Sequence, residues 1–298
     1  MSDLDKYRTQ QEAYRAGAGR TTTTPYQEAV NRYLGAVAYG SDEPDRPTAA
    51  ASRTVGSVVV GVDDTPTTYT AVDHAAIEAE LRGCGLRLVH VQQPGGLRSP
   101  TREAGARLLQ RLTDRVHAYS PTVPVTSRLE VGGAAALVLA QAQTASLVVV
   151  GHRHSTVGTA FGLSVADRVA AGHAGVVLVV RVPGWPPGPE FGSRPIVVGV
   201  DHDDSTAVWF ALDEARGRGC DLVILHAGDD IATPALSDTD GVPVRHAYVT
   251  GGPADALIEA SRNASAIVVG RHRTTGSALG SVSRTLVQHA HCPVFLVG

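Results

Sequence analysis

The sequence predicts two tandem α/β domains, each a doubly wound, Rossmann-like parallel sheet with helices on both faces. Three observations carry this. Short Val/Ile/Leu runs alternate with stretches of helical period, the mark of a parallel sheet covered on both sides. VGSVVVGVDDTPTTYTAVDHAAIEAELRGCGLRLVHV, from Val55, matches RPIVVGVDHDDSTAVWFALDEARGRGCDLVILHA, from Arg194. Further on, ASLVVVGHRHSTVGTAFGLSVADRVAAGHAGVVLVV (145–180) matches ASAIVVGRHRTTGSALGSVSRTLVQHAHCPVFLV (264–297) in the same order. Two matched segments in one order mark an internal duplication.

The elements follow in chain order. Residues 1–54 are an N-terminal extension outside both repeats, polar and partly flexible in composition. Within it, PYQEAVNRYLGAVAY (25–39) sets Tyr26, Val30, Tyr33, Leu34 and Val37 in an apolar stripe at helical spacing. A lone helix of that length is marginal in water, so it is expected to dock, over a gap in the second repeat or at a domain boundary. The first repeat covers 55–182, with strands near 57–62, 86–91, 124–130, 146–150 and 176–181. Its helices fall near 67–82, 101–119, 133–144 and 164–172. A linker rich in Pro and Gly spans 183–194. The second repeat, 195–298, is shorter. Between His226 and Pro243 it has no full helical stretch, so it is expected to lack its second helix.

Composition narrows the function classes. The chain of 298 residues is 43% apolar and 18% charged, with a net charge of −3. A dedicated nucleic-acid binder carries a basic surplus that is missing here. Lys6 is the sole lysine, which excludes a phosphate loop ending in Gly-Lys-Ser/Thr. An anion must then be held by arginine, histidine or backbone N–H groups. Cys84, Cys220 and Cys292 form no CxxC pair, against a disulfide framework or zinc site. Cys84 and Cys220 occupy matching positions and read as small apolar residues. The loop histidines His152, His154 and His272 have no matching set of cysteines or carboxylates, so no metal is expected. There is no apolar run of membrane-spanning length and no apolar signal core at the N-terminus. A cytoplasmic protein is expected. No GxSxG elbow, HExxH or paired cysteine nucleophile occurs, so binding is expected rather than turnover, with no catalytic residue.

Ligands of doubly wound sheets sit beyond the carboxyl ends of the strands. Val62–Asp63 and Val200–Asp201 end the first strands of the two repeats. A carboxylate there can accept hydrogen bonds from ribose hydroxyls or a base amine; it can equally serve as a turn acid. After the fourth strands come GHRHSTVGTAFGLS, from Gly151, and GRHRTTGSALGS, from Gly270. In the second loop Gly280 permits close backbone approach, and Ser281 reads as the N-cap of SVSRTLVQHA. The first turn through Val282 and Ser283 would present free N–H groups to a phosphate. In the first loop Ser164 precedes Val165 as a cap, and Asp167 three residues on completes a capping box. That acid stabilises the helix without a ligand and repels phosphate. The second repeat is therefore expected to bind the more tightly.

Together, VVVGVDD, LVHV, LVVVG and VVGRHR…LGSVSRTLVQHAHCPVFLV resemble the universal stress protein family in its tandem form, over about residues 55–298. The resemblance implies an adenine nucleotide alpha hydrolase-like fold with five parallel strands per repeat, in the order 3-2-1-4-5. It implies ATP or another adenine nucleotide as cofactor, with Mg2+, and a homodimer formed through the last strand. It also points to a stress-response regulator or sensor; charge and the lack of a long apolar run lead us to expect no nucleic-acid or membrane partner. A module with decayed sites that serves protein interactions is the alternative, and a weak ATPase a third. The family's motif G-x2-G-x9-G-[S/T] falls on Gly270, Arg273 and Gly280–Ser281, and on Gly151, His154 and Leu163–Ser164. The spacers are six and eight residues. Arg273 and His154 replace glycines and are expected to act as anion ligands. Asp63 and Asp201 match the family's nucleoside-binding acid; Val91 and Ala227 match the strand-two position beside the base.

Overall fold

The computed structural model describes residues 23–38, 56–93, 101–152, 164–181, 190–200, 206–228, 236–271, 273–274 and 278–298. The chain divides into two compact units. One takes in Asn31–Pro186 and Arg273–Leu279; the other takes in Met1–Val30, Pro187–His272 and Gly280–Gly298.

The first unit holds the first repeat. Its strands are β1 (Ser57–Val62), β2 (Gly85–Gln92), β3 (Val125–Val131), β4 (Leu147–His152) and β5 (Val177–Arg181). They pair in parallel in the order β3-β2-β1-β4-β5, the predicted 3-2-1-4-5. Residues Val58–Val60 and Leu147–Val149 are wholly buried at the centre of the sheet. A run with no polar face stays dry only when both sheet faces are covered. The cover is α2 (Pro66–Leu81), α3 (Arg102–Tyr119), α4 (Ala134–Gln141) and α5 (Val165–Gly172). α2 opens with Pro66, whose fixed φ suits the first turn. Thr101 caps α3 by accepting from Ala104 N–H at 3.2 Å. α2 and α3 are joined by a bidentate pair, Arg115 to Asp73, at 2.7 Å on both arms. Asp73 is 1% exposed.

The second unit repeats the plan with β6 (Ile196–Val200), α6 (Thr206–Arg218), β7 (Leu222–Ala227), β8 (Leu236–Thr239), β9 (Val242–Val249), α7 (Pro253–Ser261) and β10 (Ala266–Gly270). α8 (Ser281–His289) and β13 (Val294–Val297) complete it; the short antiparallel pair β11 (Arg273–Thr274) and β12 (Ala278–Leu279), which precedes them in sequence, falls in the first unit. The parallel order β9-β7-β6-β10-β13 is again 3-2-1-4-5. One strand departs from the expected five. β8 runs antiparallel beside β9, with Thr239 opposite Val242. Asp240 and Gly241, at φ 53° and 80°, form the two-residue turn that Asp-Gly favours because both positions need positive φ. Where the first repeat places α3 between its second and third strands, the second closes with this hairpin.

The N-terminal helix α1 (Pro25–Ala38) forms and docks. Tyr26, Val30 and Tyr33 of the predicted stripe are buried to 1% exposure or less. In the second unit Tyr26 lies under the Arg218 guanidinium, 4.3 Å from ring centroid to carbon, a cation–π contact. A Cβ on Gly192 would sit 2.6 Å from Gln27 Cα, so α1 rests directly on the turn Phe191–Ser193. In the first unit the Arg32 Nε donates to the Tyr119 carbonyl at 2.9 Å, and its guanidinium pairs with Glu80. Tyr33 donates to Ser120 Oγ at 3.3 Å, which donates to Glu80 Oε2 at 2.7 Å.

Candidate nucleotide site

The carboxyl ends of β1, β2 and β4 meet the first turns of α2 and α5 at a cleft of about 280 Å3. In the order 3-2-1-4-5 the chain reverses direction of winding between β1 and β4, the switch point where doubly wound sheets take ligands. The floor is apolar: Val62, Val89, Val91 and Val150 from the strands, Val138 from α4. One rim is polar: Asp63, Thr65, Thr67 and Thr68 at the opening of α2. The opposite rim is Ser164, Val165 and Ala166 at the opening of α5.

Asp63 is exposed yet held. Thr68 Oγ1 accepts from the Asp63 N–H at 2.9 Å and donates to Asp63 Oδ1 at 2.7 Å. Thr65 Oγ1 donates to the same oxygen. Both bonds fall on Oδ1, so Oδ2 is the oxygen left for a donor from a ligand. Thr65 sits at the N-cap position of α2 without capping it; its hydroxyl donates to Asp63 instead. The turn reading and the ligand reading of Asp63 are therefore compatible. His90 ends the same corner, donating from Nδ1 to the Val62 carbonyl at 2.9 Å.

Gly151 has a packing reason. A Cβ there would lie 2.8 Å from Thr67 Cγ2 and 3.3 Å from its carbonyl oxygen, so the end of β4 can lie against α2 only without a side chain. Across the cleft, α5 has the predicted capping box. Ser164 Oγ accepts from Asp167 N–H at 3.0 Å, and Asp167 Oδ2 accepts from Ser164 N–H at 3.0 Å.

Of the first-repeat residues the sequence singles out, Val62, Asp63, Val91, Gly151, Ser164 and Val165 all line this one cleft. His154 and Leu163 lie outside the described residues. The threonines and Val138 were missed; the run DDTPTT straight after a strand was their signal, since small hydroxyl residues there can brace an aspartate. In the second repeat Val200, Ala227 and Gly270 end β6, β7 and β10. Asp201 and the side chain of Arg273 lie outside the described residues, and with them the anion role expected of Arg273. One reading is corrected. Ser281 is not the N-cap of α8: Gly280 is, at φ −56° and ψ 160°, and Ser281 is the first helical residue. The Gly280 carbonyl already accepts from Arg284 N–H at 3.0 Å, which defines the cap one residue earlier. Ser281 is exposed, Val282 half-buried and Ser283 buried. Gly280 has no side chain to cap with, and the first turn of α8 holds no acid.

The three cysteines are buried and form no disulfide. Burial pushes Cys220 up to about 11 and Cys292 up to about 12, and raises Cys84, so they pack as apolar groups. Among the described residues no group of three or more His, Cys, Asp and Glu could hold a metal. No helix among them is long and apolar enough to cross a membrane.

The sequence model of the universal stress protein family matches residues 54–181 and 237–298, well over half of the chain. The chain belongs to the universal stress protein family. Among its relatives is a universal stress protein of Mycobacterium tuberculosis, 29% identical over 284 residues, which cover 80% of this chain and 95% of that one. A universal stress protein of Mycolicibacterium smegmatis is 28% identical over 298 residues, covering 83% of this chain and 98% of the relative. Full-length tandem universal stress proteins therefore align across both repeats. In fold, the chain is similar to a universal stress protein from Archaeoglobus fulgidus, with a TM-score of 0.63 at 16% identity over 81% of this chain and 96% of that one.

Proposed function

We propose that this universal stress protein binds an adenine nucleotide in the first-repeat cleft and acts as a binding regulator or sensor, not as an enzyme. The observation that carries the reading is the braced Asp63: a carboxylate fixed by two threonine hydroxyls at the edge of an apolar floor, at the switch point of the sheet. The floor suits a purine ring, and Asp63 Oδ2 suits a ribose hydroxyl. The reading of a decayed module draws on the capping box of α5, which satisfies the helix start with no ligand. Mass spectrometry of nucleotide carried through purification separates the two, followed by titration of Asp63→Ala. We expect adenine compounds to co-purify and Asp63→Ala to weaken binding about tenfold or more, the loss of a charge-assisted hydrogen bond. Unchanged affinity in Asp63→Ala overturns the site. We also take the protein to be a homodimer in the cytoplasm, a state that light scattering after size-exclusion chromatography would check.

A further inference from the structure

We propose that the first-repeat cleft selects adenosine or its monophosphate and turns away di- and triphosphates, with Asp167 setting that limit. This rests on the nucleotide reading above and narrows its ligand class.

The argument starts from the donors available. A helix start leaves its first N–H groups without partners inside the helix, and these are what hold phosphates. In α5 the first helical bond runs from Arg168 N–H to the Ser164 carbonyl at 3.1 Å. Ahead of it, Ser164 N–H is taken by Asp167 Oδ2 and Asp167 N–H by Ser164 Oγ, each at 3.0 Å. Ser164 Oγ also donates to Asp167 Oδ2, at 2.7 Å. The hydroxyl is thereby turned toward the carboxylate. Only the N–H groups of Val165 and Ala166 are left by the capping box, and both residues line the cleft. Two neighbouring donors can hold the oxygens of one phosphoryl group, not a chain of three.

Charge points the same way. Among the described residues lining the cleft none is Arg, Lys or His, and Asp63 is acidic. Asp167 places a second carboxylate in the first turn of α5, where it offsets the partial positive charge of the helix start. A triphosphate would bring several negative charges beside the two carboxylates that the described residues place there. The size of the cleft agrees: about 280 Å3 is at the small end of ligand sites, which run from roughly 300 to 1,000 Å3. The opening of α8 differs on both counts, with a glycine cap and no acid in its first turn.

The test is calorimetric titration of the full chain with adenosine, AMP and ATP, in an Asp201→Ala background to silence the second repeat. Asp167→Asn removes the charge and keeps an oxygen for the Ser164 N–H. We expect AMP and adenosine to bind more tightly than ATP. Asp167→Asn should then tighten ATP about three- to tenfold and leave adenosine unchanged, the size of a carboxylate acting at a helix terminus. Should the variant fold poorly, added salt on the parent protein gives the same reading: screening should narrow the gap between adenosine and ATP. ATP binding more tightly than AMP would overturn the inference and leave the nucleotide reading standing. An Asp167→Asn protein with the parent's ratio of ATP to adenosine affinity overturns it as well. Failure of all three compounds to bind sinks the nucleotide reading itself.

Discussion

The two repeats share a strand order and differ in how they finish what surrounds it. In the first, α3 covers the sheet between β2 and β3 and locks to α2 through Arg115 and Asp73. In the second, the same connection is a hairpin, and β9 is paired on both sides, by β7 and β8. The consequence shows in burial: five residues of β9 are buried, whereas none of β3 is. The helix starts differ too, with a Ser/Asp capping box on α5 and a bare glycine cap on α8. The lesson is that a duplicated α/β unit keeps what its apolar strands dictate, while caps and crossovers drift separately.

The largest effect should come from the helix pair that, among the described residues, the first repeat has and the second does not. Arg115→Leu would strand the Asp73 carboxylate, which is 1% exposed. We expect a loss of about 2–3 kcal/mol in urea unfolding, less than a wholly buried pair because Arg115 is partly exposed. Hydrogen exchange should rise in α2 and α3 and not in the second repeat. A change under about 0.5 kcal/mol would mean the pair is ornamental.

Next are the matched glycines at the ends of the fourth strands. Gly151→Ala drives a methyl into Thr67, at 2.8 Å, and should cost about 1–3 kcal/mol as overpacking does. Gly270→Ala meets nothing within 4 Å among the described residues, and should cost no more than about 0.5 kcal/mol. Equal losses from thermal melts of the two variants would break the comparison.

Smaller still is the cap. Ser164→Ala removes the acceptor for Asp167 N–H and should cost about 1 kcal/mol. Ser281→Ala lies inside α8 with its side chain exposed, and should stay within about 0.5 kcal/mol of the parent. If Ser281→Ala proves the costlier, Ser281 caps α8 after all.

The mildest test is alkaline pH. Burial holds Cys220 and Cys292 at about 11 and about 12 in the folded chain, and raises the Tyr33 phenol. The unfolded thiols titrate near ~8.5 and tyrosine near ~10. Above those values the unfolded chain gives up protons that the folded chain keeps, so stability is full below about pH 8.5 and falls as pH climbs through 9 to 12. Melting temperatures should drop across that window, and a Cys220→Ala/Cys292→Ala protein should drop less. Identical slopes would refute the assignment.

Much of this protein was legible in its residues. Val-rich runs such as VVVGV and LVVVG can be stable only as strands buried on both faces, so their spans were read within a residue or two. The stripe Tyr26, Val30, Tyr33 announced α1, and Ser164 with Asp167 announced a capping box, because both depend on spacing along one helix. The Asp240–Gly241 turn is also local, an Asp-Gly pair between two strand-forming runs. Other features depend on residues distant in sequence. That Tyr26 would find Arg218, that Gly151 must stay bare for Thr67, and that Asp63 would be braced by Thr65 and Thr68 are matters of which backbones approach closely. Local pattern sets which face of an element seeks cover; only close packing decides which side chain supplies it.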